Sequence, residues 1–332
     1  MHQVGNASAD YAPRRRVLGQ LSLGGGLACC QPHHRKLHKL SSSNSPSKPN
    51  QTSNWYINNM QSNDSAASFY SEDFLDVDRW FQIADADYEA LLKSLNLNTL
   101  FPAKAKRLRL LDVGCGTGRF PTLLRPRLEI RAPIIEYDFI DPSPYCLSIM
   151  RESLTGPFKA GQALQMCAED LDVWSKEPVA TYDIVWAIHS LCHASAAAIP
   201  SIIKSLRNLL APKTGVGLIY IHSRHSFYTQ IHDTYRKVFP TPIAPFMTAE
   251  DYAAAFDAAG SPWCEERLHF VHEISVQDDA LLESYLHKCI LDPTQALFKW
   301  WSSAPLRELL EGYRQGEVYR FPQQVALFQF NF

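Results

Sequence analysis

The chain has 332 residues, with 46% hydrophobic and 20% charged side chains and a formal net charge of −2. This composition is typical of a folded globular protein and excludes fibrous and fully disordered classes. The 32 basic and 34 acidic residues are mixed along the chain, so the sequence does not indicate a nucleic-acid partner.

Cysteine spacing and hydropathy argue against several further classes of protein. The eight cysteines include no CxxC pair, which argues against a zinc ribbon or a disulfide scaffold and favours a reducing compartment. No uninterrupted apolar stretch reaches about 18 residues, so we expect no membrane-spanning helix and no membrane partner. We expect a cytoplasmic protein, and a monomer is compatible with the sequence.

Residues 1–65 differ from the rest of the chain. The stretch KLSSSNSPSKPNQTSN (39–54) has almost no side chain that could be buried, which predicts a disordered extension before a domain at 66–332. The segment PRRRVLGQLSLGGGLACC (13–30) also fits a twin-arginine or lipoprotein export leader. A third interpretation, a true start at Met60, stays open as well.

The pattern becomes regular from residue 71. Residues 71–97 place apolar side chains at helical spacing after an acidic first turn, which predicts one or two helices. Candidate strands and helices then alternate, which is typical of right-handed crossovers and a sheet covered on both faces. The predicted strands are 107–113, 134–140, 163–169, 182–189, 215–222, 267–276 and 324–332. The predicted helices are 119–128, 145–154, 196–210, 225–238, 249–259, 278–290 and 295–314.

These elements predict an α/β, Rossmann-like, doubly wound sheet of seven mostly parallel strands. We expect the C-terminal strand, 324–332, to be antiparallel and to lie at an edge in a hairpin-like arrangement.

A glycine-rich turn follows the first strand in LLDVGCGTGRF (110–120). Such a turn lets the backbone bend sharply at the crevice where open parallel sheets bind nucleotide-like ligands. The spacing is G-x-G-x-G, not the G-x-G-x-x-G of dinucleotide folds, and the Lys-Ser/Thr pair of a Walker loop is missing. The second strand ends at Asp141, an acid at the position that accepts ribose hydroxyls in such folds.

Four segments, taken in order, resemble the class I S-adenosylmethionine-dependent methyltransferases: LLDVGCGTGRF (110–120), DFIDPS (138–143), CAEDLDVW (167–174) and YDIVWAIHSLCHA (182–194). The resemblance covers roughly 70–332 and implies S-adenosylmethionine as cofactor. It implies that the glycine loop lies along the sulfonium amino acid, that Asp141 binds ribose and that Glu169 approaches the adenine. Cys167 stands where an aspartate is common. The implied cofactor-binding residues are Asp112, Gly114, Cys115, Gly116, Gly118, Asp141, Pro142, Ser143, Ala168, Glu169 and Ile188.

The downstream half looks like the histamine N-methyltransferase branch, through residues 187–240 and MTAEDYAAAFDAAG (247–260). The IHSLCH stretch stands where amino-group nucleic-acid methylases carry N/D-P-P-Y/F, which disfavours that substrate class. The resemblance implies a helical lid and a small-molecule acceptor, with acceptor-pocket positions at Tyr70, Phe74, His189, Cys192, His193, Tyr228, His232 and Gln323. Several of these differ from the residues of the histamine enzymes, which leaves the acceptor itself open.

Histidines cluster in this half of the chain, and an unperturbed imidazole titrates near pH 6.5, which suits removal of a proton from an acceptor. We predict His189, His193 and His232 as catalytic bases, while each could also be a structural polar group. Tyr70 and Phe74 could shield the site or hold an ammonium by a cation–π contact, or could simply pack in the core. We expect no metal. The leading interpretation is methylation of an amine or imidazole nitrogen, and the alternatives are O- or C-methylation or a catalytically silent cofactor-binding domain.

Overall fold

The computed structural model describes residues 70, 77–128, 134–176, 181–241, 243–260, 262–292 and 295–331. The expectations for residues 1–65 and for Phe74 lie outside the described residues.

One sheet organises the described part of the chain, with seven strands in the order β3-β2-β1-β4-β5-β8-β6 and the two-residue β7 paired to β8. Strands β1 to β5 are parallel, and β8 runs antiparallel to both β5 and β6. This topology confirms the predicted α/β, Rossmann-like class. The strands are β1 (Arg107–Val113), β2 (Ile134–Asp141), β3 (Phe158–Gln165), β4 (Ile184–Ile188), β5 (Val216–His222), β6 (Trp263–Ser275), β7 (Arg314–Gln315) and β8 (Val318–Asn331).

Helices cover both faces of the sheet. They are α1 (Val77–Ser94), α2 (Leu97–Leu100), α3 (Arg119–Leu124), α4 (Pro144–Ser153), α5 (Leu171–Trp174), α6 (Ile199–Asn208), α7 (Phe227–Val238), α8 (Ala249–Ala258), α9 (Asp279–Ile290), α10 (Leu297–Ser302) and α11 (Ala304–Gly312). Short 3-10 turns lie at Arg125–Arg127, Ala168–Asp170 and Leu191–His193. None of the described helices is long and apolar enough to cross a bilayer.

The last strand corrects the sequence expectation, because β8 is not an edge strand. It lies between β5 and β6, and β6 forms the edge. Four consecutive residues of β8, Val325–Phe328, are buried. A strand with both faces covered carries a continuous apolar run, and such strands lie inside sheets. The neighbouring β6 has exposed alternate residues and several charges, which suits an edge position.

Other boundaries also differ from the prediction, and β6 and β8 begin at Trp263 and Val318, four and six positions before the predicted starts at 267 and 324. Strand β3 begins at Phe158, five positions before the predicted start at 163, because its edge position leaves polar residues exposed and hides the strand pattern. The predicted helix 295–314 is two helices, separated at Ser303, whose backbone is extended. A proline occupies the first turn of α11, where its fixed φ is tolerated only at a helix start.

The core lies on both faces of the sheet. Leu110 and Leu111 are adjacent in β1, and each is fully buried in a different cluster. Successive strand side chains point to opposite faces, so helices must cover each face. A third, aromatic cluster joins α7, α9 and β8, where the rings of Phe227 and Phe321 stack at 4.0 Å. These clusters hold the carboxyl ends of the parallel strands in fixed positions.

Candidate active site

A cavity opens at the carboxyl ends of the parallel strands, the edge at which open α/β sheets bind ligands. The turns after β1, β2 and β4 and the last residue of β5 line it, together with side chains from α1, α7 and α9. Its lining contains two groups of side chains. The first group, called the loop end, comprises residues 112–117, Asp141 and residues 166–169. The second, called the histidine end, comprises Asp87, Tyr88, His189, His222 and Tyr228.

The three glycines of the turn after β1 have different surroundings. All three have positive φ, at 72° for Gly114, 52° for Gly116 and 81° for Gly118. A Cβ at Gly114 would lie 2.3 Å from the Cβ of Ser190, and one at Gly118 would lie 2.3 Å from the Oγ of Ser153. A Cβ at Gly116 would meet nothing within 4 Å. Gly114 and Gly116 line the cavity, whereas Gly118 packs against α4 outside the lining.

Asp141 ends β2 and faces the glycine turn. Its Oδ2 accepts a hydrogen bond from the Gly116 amide at 3.0 Å, and its Oδ1 accepts one from the Ser143 amide at 2.9 Å. The residue is 7% exposed and lines the cavity. Burial raises the pKa of Asp141, against the two amide hydrogen bonds that lower it. A carboxylate oxygen can accept a second hydrogen bond, so Asp141, which lines the cavity, could also bind a ligand there.

Asp112 lies at the end of β1, next to the turn. It is buried, lines the cavity and accepts a hydrogen bond from the Tyr137 hydroxyl at 2.6 Å. Burial raises the pKa of Asp112 to about 7, opposed by the hydrogen bond from Tyr137. The carboxyl group beside the glycine turn therefore changes its charge near neutral pH.

Most of the remaining sequence-predicted loop residues also line the cavity. Those in the lining are Cys115, Pro142, Ala168, Glu169 and Ile188. Ser143 is not in the lining; its Oγ caps α4 by accepting from the Cys146 amide at 3.1 Å and donates to the Tyr70 carbonyl at 2.6 Å.

Tyr70 lines the cavity beside the start of α4, and its carbonyl and its hydroxyl each have a partner. Its carbonyl accepts the hydrogen bond from Ser143, and its hydroxyl accepts one from the Lys288 ammonium. The Lys288 Nζ also lies 3.6 Å from the centre of the Tyr70 ring. Burial lowers the pKa of Lys288 to about 8. The lid position predicted for Tyr70 thus has a specific anchor on α9.

At the histidine end, a buried carboxylate faces the cavity. Asp87 on α1 is 2% exposed, and its Oδ1 lies 3.5 Å from the Nε2 of His189 at the end of β4. Its Oδ2 lies 3.0 Å from the Nε2 of His272 on β6. His189 has a positive φ of 53°, a conformation that is uncommon outside glycine but several-fold enriched for histidine.

Two other imidazoles line the same cavity. The ring of His222 lies 6.3 Å from that of His189 and 5.9 Å from that of Tyr228. The ring of His193 meets Phe246 edge-on at 5.3 Å. Burial lowers the pKa of both His193 and His222 to about 3. Both rings are therefore uncharged at neutral pH.

The sequence-predicted acceptor residues divide into two sets. Tyr70, His189, Cys192, His193 and Tyr228 line the cavity.

His232 and Gln323 do not line it. The two ring nitrogens of His232 contact the carbonyls of Ala244 and Cys289, at 3.0 and 3.3 Å, and its ring stacks on Phe246 at 3.7 Å. Gln323 is buried behind the cavity, where it bonds to Ser226 and Tyr285.

Sequence reasoning missed Asp87, Tyr88 and Lys288 as cavity residues, whereas His222 belongs to the histidines expected near strand ends that face the crevice. One signal for Asp87 was available: it stands in the apolar stripe of α1 with Ile83, Ala84 and Leu91, all buried. A carboxylate inside an apolar helical stripe is an uncommon placement, since unpaired charges are costly to bury. No comparable local pattern distinguishes Lys288.

Comparison with known proteins identifies the family. The model of the "Methyltransferase domain" family matches residues 85–261, more than half of the chain. The chain belongs to this methyltransferase family. Its fold and family define a class I S-adenosylmethionine-dependent methyltransferase, with S-adenosylmethionine as the cofactor. No curated protein sequence matches the chain.

Solved structures with a similar architecture include a SAM-dependent methyltransferase from Anabaena variabilis. That protein is 14% identical, with 89% of this chain and 100% of that chain covered and a TM-score of 0.47. A protein from Thermotoga maritima, described as a "SAM-dependent methyltransferase, possible histamine N-methyltransferase", is 16% identical, with 81% and 98% covered and a TM-score of 0.44. The cyclopropane synthase MmaA2 from Mycobacterium tuberculosis is 15% identical, with 73% and 83% covered and a TM-score of 0.42. No substrate or site residue is transferred from them.

Proposed function

We propose that this methyltransferase acts on a small-molecule acceptor, at an amine or imidazole nitrogen. The observation that carries the proposal is the single lining shared by the loop end and the histidine end. A cofactor at the first and an acceptor at the second would meet in one water-poor space.

The loop end fits S-adenosylmethionine by the chemistry of its groups. Gly116 leaves open backbone where a side chain would otherwise stand, and the sheet edge there suits a nucleoside. Asp141 offers two buried carboxylate oxygens to ribose hydroxyls, and Asp112 offers a carboxyl to the methionine ammonium. Glu169 lies in the lining after β3, on the side assigned to the adenine.

We retain for cofactor binding the predicted residues that line the cavity: Asp112, Gly114, Cys115, Gly116, Asp141, Pro142, Ala168, Glu169 and Ile188. Gly118 and Ser143 have structural roles in this proposal. Gly118 allows α4 to pack closely, and Ser143 caps that helix and holds Tyr70.

The histidine end favours a nitrogen acceptor. The Asp87 carboxylate is negative there: burial alone would raise its pKa, but His272 and His189 outweigh burial and lower the pKa to about 2. Aromatic rings of Tyr88 and Tyr228 lie close by, and aromatic faces attract cations. A buried anion between aromatic rings suits a compact cationic amine or an imidazole better than a carboxylate or a phosphate.

The residues of the chain would bind, align and shield the reactants. When bound, S-adenosylmethionine supplies an electrophilic methyl group on a sulfonium leaving group, so alignment contributes much of the rate. The Tyr70 ring, held by Ser143 and Lys288, closes the loop end against water. His189 and Tyr228 border the acceptor, and His232 is omitted because its ring lies outside the cavity.

The resemblance of residues 187–260 to the histamine N-methyltransferase branch supports the same substrate class. His189 and His193 stand where the histamine enzymes have other residues, so the acceptor need not be histamine.

A cofactor-turnover screen tests the proposal. Purified protein with S-adenosylmethionine would be offered amines, imidazoles, phenols and carboxylic acids, with formation of S-adenosylhomocysteine and the methylated product measured together. We expect turnover on amines or imidazoles. Turnover only on phenols or carboxylic acids, or a product methylated on carbon, would contradict a nitrogen acceptor and support O- or C-methylation. Cofactor binding without turnover of any compound would support a catalytically silent domain.

A further inference from the structure

We propose that His189 removes a proton from the acceptor nitrogen and that Asp87 is the positioning residue that orients His189 for this step. The inference rests on the proposed function and adds Asp87, which selects His189 among the three histidines that the sequence predicts as bases.

Two imidazoles flank the Asp87 carboxylate, one on each oxygen. His189 approaches Oδ1, with its Nε2 at 3.5 Å, and His272 approaches Oδ2, with its Nε2 at 3.0 Å. The His189 contact lies within ion-pair distance but is not aligned as a hydrogen bond, and catalytic hydrogen bonds are often poorly aligned before substrate binds. Asp87 and His189 line the cavity, while His272 lies behind them.

A series of hydrogen-bonded, buried polar side chains lies behind Asp87. The Nδ1 of His272 lies 3.0 Å from the Tyr285 hydroxyl, which accepts a hydrogen bond from Gln323 at 3.1 Å. The Oε1 of Gln323 accepts a hydrogen bond from Ser226. All four partners are buried. Buried polar networks restrict the arrangements of their members, so the His272 imidazole that faces Asp87 is held in position.

The position of His189 fits a reactive group. Its backbone adopts the left-handed φ of 53°, and strained conformations of this kind cluster at functional sites. Its ring packs edge-on against Tyr220 at 4.6 Å. Because Nε2 faces Asp87, the other ring nitrogen, Nδ1, is left for the acceptor. A carboxylate partner on one imidazole nitrogen sets which nitrogen carries the proton.

The other cavity imidazoles lack this partner. Among the described residues, His189 and His272 are the histidines within 4.0 Å of a carboxylate. Burial lowers the pKa of His193 and His222 to about 3, so neither accepts a proton readily near neutral pH. His189 is therefore the cavity imidazole that has a carboxylate neighbour and is best placed to accept a proton.

The proposed step is a proton transfer. One N–H bond of the acceptor ammonium breaks, the proton forms a bond to Nδ1 of His189, and the electron pair of the broken bond stays on nitrogen. That lone pair is the nucleophile that methylation requires. The resulting imidazolium is balanced by the Asp87 carboxylate, as a buried anion stabilises a neighbouring cation.

Titratable and charged groups from several elements face His189. Those facing it are Asp87 and Tyr88 on α1, Tyr220 and His222 on β5, and, through Asp87, His272 on β6.

Histidine NMR tests the pairing without any acceptor. Protein labelled at the histidine ring nitrogens and loaded with S-adenosylhomocysteine would be compared with its Asp87→Asn variant at one neutral pH, with the His189 signals assigned by their loss in His189→Gln. In Asp87→Asn we expect the His189 nitrogen signals to change, because the ring loses the carboxylate that sets which nitrogen carries the proton. The exposed His225 is the internal control and should not move. Unchanged His189 nitrogen signals overturn the pairing, and Asp87→Ser replaces Asp87→Asn in this experiment if Asp87→Asn does not fold.

Kinetics with the best acceptor of the screen tests the positioning role. In Asp87→Asn we expect kcat to fall about 100-fold, within the range for general-base catalysis, while the KM for S-adenosylmethionine stays within about twofold. The acid limb of the pH–rate profile should move to lower pH, and Asp87→Glu should restore part of kcat. The matched control Asp172→Asn, on an exposed carboxylate paired with Lys176, should match the parent.

The two proposals fail in different ways. A parent enzyme that turns over no nitrogen acceptor contradicts the proposed function and leaves the NMR result standing. An Asp87→Asn variant with parental kcat and pH profile contradicts the positioning role whatever the acceptor.

Discussion

Two residues, Gly116 and Asp141, shape the loop end of the cavity through one hydrogen bond. The Asp141 carboxylate accepts from the Gly116 amide at 3.0 Å, which holds the turn after β1 against the end of β2. The bare backbone of Gly116 then faces open space. A side chain at this position would project into the volume assigned to the cofactor.

Gly116→Ala should therefore abolish cofactor binding at a modest cost in stability. A non-glycine residue at positive φ costs about 1–2 kcal/mol, and no atom within 4 Å adds a clash. Gly260→Ala is the matched control, since Gly260 also has positive φ and open surroundings but lies outside the cavity lining. Urea unfolding should give similar losses for both variants, while calorimetry with S-adenosylhomocysteine shows binding only for Gly260→Ala. Parental affinity in Gly116→Ala would refute the assignment of the loop.

Asp112 should make cofactor affinity depend on pH. Burial raises the pKa of this carboxyl to about 7, so it is neutral below that pH and anionic above it. An ammonium binds the anion, so affinity for S-adenosylhomocysteine should fall as pH decreases from about 7.5 to 5.5, by up to tenfold per pH unit. Asp112→Asn should bind more weakly at pH 7.5 and lose the part of the dependence near pH 7. A parental pH profile in Asp112→Asn would exclude contact with the ammonium.

At the scale of elements, the parallel strands were the easiest part to predict. β1 has the predicted bounds, and β2, β4 and β5 differ by one or two residues at their ends, because buried parallel strands carry continuous apolar runs. Edge strand β3 and interior strand β8 were harder. Pairing partners decide which strand lies at an edge, and they are not visible in a local window of sequence.

Helix α4 has a cap whose strength can be measured. The Ser143 Oγ accepts from the Cys146 amide at 3.1 Å, and loss of such a cap typically costs about 1 kcal/mol. Ser143→Ala should lower the free energy of unfolding by about that amount. It should also loosen Tyr70, which bonds to the same oxygen.

Ser303→Ala is the matched control for this cap. Ser303 precedes α11 without a side-chain capping bond, so its replacement should change the free energy of unfolding by less than about 0.5 kcal/mol. Equal losses in the two variants, measured by urea unfolding, would contradict the capping role of Ser143.

At the scale of the whole molecule, the two ends of the cavity differ in how far the sequence predicts them. The loop end is built from short segments that follow individual strands, so most of its residues, including Asp112, Gly116 and Asp141, could be identified in advance. The histidine end joins α1, the end of β4, β5 and α7. Asp87 and His272 lie 3.0 Å apart in the fold but far apart in sequence, and only the sheet order brings β6 near α1.

The central claim is that S-adenosylmethionine lies over the glycine turn with its ribose bound by Asp141. Calorimetric titration of S-adenosylhomocysteine into the parent and Asp141→Ala tests it most directly, with exposed Asp172→Ala as control and circular dichroism to verify folding. Lost hydrogen bonds to a charged group should weaken binding by about 1.5–3 kcal/mol in Asp141→Ala and leave Asp172→Ala unchanged. A folded Asp141→Ala variant that binds as tightly as the parent would contradict the account.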